Sequence, residues 1–188
     1  MGPSMSSKRS TRPPAVRGFT LVELMVTVAV LAIVLAVAIP GFRGLIHRNR
    51  LTSATNEIVA TLQLARMEAI RRNSRVQVCP STDGTGCAGS DWSRMVVRVV
   101  ADGTIVRDIA IDGDGLQVAA SDNVTSDDTI AFAADGLARV GSGNDREGAL
   151  SVCSTRLPDA DNVRDIALAV SRVSVVSRSD AACGAPED

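Results

Sequence analysis

The chain has 188 residues, 20 basic and 21 acidic, for a formal charge of −1. That balance argues against unspecific binding of nucleic acid, and a lone histidine with no tyrosine excludes most metal-ligating and base-stacking chemistry. No Ser/His/Asp or Cys/His arrangement and no phosphate loop stands in it, so a non-enzymatic protein without cofactor, metal or small-molecule substrate is expected.

Residues 1–18 form a basic, Pro-rich head carrying Lys8, Arg9, Arg12 and Arg17 and no acidic residue. Positive charge before a first apolar span holds that flank in the cytoplasm, which places the C-terminal bulk outside. An ordinary secretory signal has its small-residue cleavage site after the apolar core. Here the glycine junction, Gly18 to Phe19, comes before it.

Phe19 to Ile39 is an apolar run of 21 residues, long enough to cross a bilayer core as a helix. Its only charge is Glu23. A carboxylate inside a membrane segment costs several kcal/mol, which marks Glu23 as a functional position. Pro40 and Gly41 follow at once, and a helix-interior proline predicts a kink there. Beyond them Leu51, Ala54, Ile58, Leu62, Ala65 and Ala69 recur at three- and four-residue steps, an amphipathic stripe. Glu68 and Arg72 stand at the favourable i, i+4 spacing. One long kinked helix is predicted from Phe19 to about Asn73, its first half in lipid and its second half packed on a globular domain.

From Ser74 the pattern turns to short strands and turns. RVQVC (Arg75 to Cys79), MVVRVV (Met95 to Val100), TIVRDIAI (Thr104 to Ile111) and LQVAA (Leu116 to Ala120) come first. TIAFA (Thr129 to Ala133), ALSVC (Ala149 to Cys153), DIALAV (Asp165 to Val170) and RVSVV (Arg172 to Val176) complete roughly eight. Asp102-Gly103 reads as a hairpin, and Asp112 to Gly115, Asp135-Gly136 and Gly141 to Gly143 as turns. Asp112 to Gly115 lacks the later oxygen ligands of a calcium loop. The expected fold is α+β, the helix against two small antiparallel sheets, with segments 1–18, 19–39, 40–73 and 74–188.

Cys79, Cys87, Cys153 and Cys183 all fall on the outer side of the span, where an even count reads as two disulfides. Three pairings are open. Sequence proximity favours Cys79 with Cys87 and Cys153 with Cys183, contributing roughly 2.5 and 3.5 kcal/mol by loop entropy.

The order of basic leader, Gly18, Phe19, Glu23 and apolar helix resembles the processing and assembly signal of type IV pilins and type II secretion pseudopilins. LQLARMEAIRRNSRVQVCPS (Leu62 to Ser81), DWSR (Asp91 to Arg94) and FAADGLAR (Phe132 to Arg139) resemble the GspH/FimT/FimU group of minor pilins and pseudopilins. The resemblance implies a pilin-like, GspH-type fold and cleavage between Gly18 and Phe19 by a prepilin peptidase, which methylates the Phe19 amine. Removing the leader leaves 16 basic against 21 acidic residues, or −5. Glu23, about 6 Å along the helix from the new amine, then neutralises its own terminus or a neighbouring subunit's. The implied subunit waits in the inner membrane, N-terminus cytoplasmic and domain periplasmic. It then joins other minor and major pilins or pseudopilins in a type IV pilus or pseudopilus, in the initiating or tip complex.

FimT-type members that bind DNA in natural transformation use a C-terminal stretch of the form GRxxR. The comparable stretch here, Ser171 to Val175, has serine for the glycine and valine for the second arginine. Arg172 and the displaced Arg178 are the candidate DNA contacts of that alternative, and the cysteine-bearing tail sits closer to the FimU side of the group.

Overall fold

The computed structural model describes residues 18–142 and 145–188, apart from the side chains of residues 39–41. The leader 1–17 and Gly143 of the expected turn lie outside the described residues. Two compact units result, Met1–Gly41 and Phe42–Asp188. A single helix, α1 (Leu21–Arg72), contributes to both.

Within the first unit, Thr20 opens the helix. Its Oγ1 accepts a hydrogen bond from the Glu23 backbone N–H at 3.2 Å, and Glu23 stands in the first turn. This is the Thr-x-x-Glu spacing of a capping box, in which the threonine satisfies an amide that has no helical partner. Leu21 to Val37 are exposed along their whole length.

Within the second unit, the predicted stripe is the buried one. Leu51, Ile58, Leu62, Ala65 and Ala69 are fully buried, and Ala54 nearly so. Three of the six are alanines, which let the strands approach the helix closely. The helix stops at Asn73, whose φ of 50° is left-handed. Asn73 N donates to Ile70 O and Ser74 N to Ala69 O, the paired bonds of a Schellman cap.

The strands are β1 (Val76–Pro80), β2 (Arg94–Val99), β3 (Ile105–Ala110), β4 (Leu116–Ala120), β5 (Ile130–Phe132), β6 (Ala138–Val140), β7 (Glu147–Ser154), β8 (Val163–Ala169) and β9 (Arg172–Arg178). A short helix, α2 (Asp122–Thr125), follows β4. One sheet runs β3-β2-β1-β5-β6 and the other β4-β7-β8-β9, every pairing antiparallel. The chain changes sheet three times: it crosses at residues 111–115 to β4, returns through α2 to β5 and β6, and leaves again for β7. Val76, Val78, Val97, Ile130 and Phe132 from one sheet share a core with Leu150, Val152, Ile166 and Leu168 from the other. The lone Trp92, just before β2, is buried in it.

Two elements go beyond the sequence expectation. The segment β6 pairs with β5 as a hairpin around Asp135-Gly136, with Phe132 opposite Ala138. Three residues carry too little alternation to register as a strand, yet the Asp-Gly turn before them was the available signal. The four residues of α2 make barely one helical turn, too few for an apolar period to repeat. They form because Val124 is buried and the Ser121 hydroxyl receives Ala149 N–H, which ties this crossing to β7.

Candidate functional site

The N-terminal segment presents the processing residues openly. Gly18 has no heavy atom within 4 Å of the position a Cβ would take, and Phe19 is 74% exposed. Leu21–Ala38 is long and apolar enough to cross a membrane and holds one carboxylate, Glu23. An exposed apolar helix of this length needs lipid or other helices around it, because water leaves each of its side chains unburied. Pro40 and Gly41 lie within α1, and their surroundings fall outside what the structure describes.

Cys79 is bonded to Cys87, with Cα atoms 5.4 Å apart, and closes the loop that leaves β1. The Ser81 hydroxyl fixes that loop, donating to Gly86 O at 2.6 Å and accepting from Gly84 N–H. Cys153 on β7 is bonded to Cys183, Cα atoms 5.6 Å apart, and holds the C-terminal tail. Asn162 doubles that tie: its amide donates to Asp180 O at 2.7 Å and its carbonyl oxygen accepts from Asp180 N–H.

Arg172 and Arg178 are not brought together. They occupy opposite ends of the seven-residue β9, about 20 Å apart at an extended rise. Arg172 is exposed, whereas Arg178 pairs with Asp165 and Asp180, both at 2.7 Å, and also donates to Gly184 O. The Asp165 carboxylate, and Asp180 after it, raise the Arg178 pKa. Asp180 is itself lowered, first by the N–H groups of Ala182 and Gly184 and then by Arg178. Arg178 is therefore a clasp on the tail, its charge already matched.

Arg66 has the opposite character to the one its place outside the helix stripe suggests. Its Nε donates to Gly136 O at 2.8 Å and its Nη1 to Ser171 O at 2.7 Å, while the guanidinium lies 5.4 Å from the centre of the Phe132 ring. One side chain thus joins the helix to the β5–β6 turn and the β8–β9 turn, each in a different sheet. No local sequence pattern signals this, since both acceptors are backbone carbonyls remote in the chain.

An apolar N-terminal helix leading into a two-sheet β domain defines a pilin-like subunit. The chain belongs to the GspH family, among the minor pilins and pseudopilins: the family described as type II transport protein GspH matches residues 54–174, and the prokaryotic N-terminal methylation motif matches residues 14–39. A fimbrial protein of Pseudomonas aeruginosa is 34% identical over 101 residues, 48% of this chain and 65% of that protein. The pilin-like protein PilA1 of Thermus thermophilus is 38% identical over 72 residues, 37% of this chain and 44% of that one. The crystal structure of the Pseudomonas aeruginosa type IV minor pilin FimU covers 71% of this chain and 96% of its own, with a TM-score of 0.54 at 20% identity. A second crystal form of FimU gives a TM-score of 0.51. The shared fold is the α+β arrangement expected from the sequence.

Proposed function

We propose that the chain is made as a precursor, cut between Gly18 and Phe19 by a prepilin peptidase, and methylated on the Phe19 amine. It is a single-pass protein of the inner membrane, leader cytoplasmic and β domain periplasmic, until it enters a type IV pilus or type II secretion pseudopilus with other pilins or pseudopilins. Its place is in the initiating or tip complex. The observation that carries this reading is the exposed apolar helix Leu21–Ala38 with its single first-turn carboxylate, continuous in sequence with a GspH domain. Cleavage creates an amine within a turn of Glu23, and pairing the two offsets the cost of holding either in lipid. Pro40 and Gly41 supply a kink between the lipid-embedded half of the helix and the half that packs on the domain.

The test is intact mass and N-terminal sequencing of the membrane-extracted protein, from hosts with and without the peptidase. A chain starting at N-methylated Phe19 only where the peptidase is present is the expected result. An uncut chain in both hosts overturns the precursor reading.

A further inference from the structure

A second site lies within the β-domain unit, at the N-terminal end of its part of the helix. Arg43, His47 and Arg50 follow one another at i, i+4 and i+7, so they share a helix face. With Ile46, Asp114 and Arg156 they line a cavity of about 360 Å³. Arg156 comes from the turn after β7, more than a hundred residues away, and its guanidinium donates to Asp114 at 2.7 Å. Gly115 makes the approach possible. Its φ is +81°, and a Cβ there would stand 2.5 Å from Arg156 Cγ. Asp114 is the one carboxylate lining the cavity, and its pKa is lowered first by Arg156 and then by the charges of His47 and Arg50. Arg43 and Arg50 have no carboxylate partner among the described residues. The cavity is therefore cationic with an incomplete set of counter-charges.

Its position along the chain says what the missing charge is. Arg43 is four residues beyond Ile39, the end of the apolar run. Four residues of chain reach at most about 14 Å in any conformation, which keeps the long Arg43 side chain within reach of the headgroups that border that run. We propose that Arg43, His47, Arg50 and Arg156 form a docking site for the headgroup of an anionic phospholipid. The site holds the unassembled domain against the bilayer. Arginine suits a phosphodiester through paired N–H donors, and Arg156 brings the β domain, not only the helix, into the contact. A patch of this kind acts within a Debye length, so added salt weakens it.

The inference rests on the membrane anchorage proposed above, and the test separates the two. The full chain is purified in a neutral detergent and titrated with phosphatidylglycerol, phosphatidylcholine, inorganic phosphate or a short DNA duplex, with bound molecules counted by native mass spectrometry. Expected is a phosphatidylglycerol adduct that weakens at least tenfold in Arg43→Gln/Arg50→Gln/Arg156→Gln. It should persist in Arg98→Gln/Arg139→Gln/Arg146→Gln, which loses equal charge elsewhere; circular dichroism checks that both variants are folded. Equal retention of phosphatidylcholine, equal loss in both variants, or binding of phosphate or DNA in place of the lipid overturns the headgroup site. A chain that stays soluble without detergent refutes the anchorage instead.

Discussion

Val170 stands in the β8–β9 turn with a φ of 39°, the only β-branched residue in the left-handed region among the described residues. Such a conformation costs about 1–3 kcal/mol and persists only where neighbours enforce it. They do so here on both sides: Val170 N donates to Arg146 O and Val170 O accepts from Ala138 N, while Arg66 holds the next carbonyl at Ser171. Val170→Gly is expected to raise stability by about 1 kcal/mol, because glycine adopts this φ without steric cost. Urea unfolding followed by the fluorescence of buried Trp92 measures it, and an unchanged midpoint would sink the strain argument. Glu68 offers the other residue-scale test. Hydrogen bonds from Arg71 and then Arg72 lower its pKa from the ordinary 4.5 to about 2. A depressed folded-state pKa gives stability that is present above about 4.5 and is lost as pH falls toward 2. Glu68→Gln should flatten that part of the acid limb in thermal unfolding at pH 2 to 6, and an identical pH slope in both proteins would count against the pair.

At the scale of elements, α1 changes partner along its length. Residues 21–37 are exposed along their length, while the stripe from Leu51 to Ala69 is the spine of the domain core. Leu62 is fully buried in that stripe, so Leu62→Ala removes three carbons and leaves a cavity. The expected cost is about 3 kcal/mol, read as a lower urea midpoint at unchanged slope. Exposed Met67 on the opposite face serves as the control, and Met67→Ala should change stability by less than about 0.5 kcal/mol. Equal effects at the two positions would mean that this part of the helix is not packed as described.

For the whole molecule, the division at Gly41 and Phe42 makes a concrete claim about folding. A fragment of residues 42–188 keeps the entire core and both disulfides, and is expected to fold and stay soluble without detergent. Its circular dichroism and cooperative unfolding check this, and a molten or aggregated fragment would show that the apolar helix is needed for folding. The tail supplies the matching covalent test. Replacing Cys153 and Cys183 together with alanine should cost roughly 3.5 kcal/mol or less, because Arg178 and Asn162 still hold Asp180. Proteolysis should then reach the residues after Arg178 first, and uniform resistance would argue that the noncovalent clasp alone suffices.

The sequence by itself determined the apolar helix with its carboxylate, the buried stripe, the α+β class and most strands. Each rests on a short-range signal: a run length, a 3.6-residue period, alternation between turn residues. The end of α1 near Asn73 was legible for the same reason, since its cap is made by neighbours in sequence. Only the tertiary structure decided how the strands are shared between two sheets, because a crossing such as residues 111–115 looks in sequence like any other turn. It also decided that three residues at β6 pair as a strand, and that Arg178 is spent on Asp165 and Asp180. Arg66 joins both sheets, and Arg156 lines one cavity with Arg43 and Arg50, for the same reason. These outcomes depend on groups brought together from distant parts of the chain, and distance through space is set by core packing, which no local period encodes.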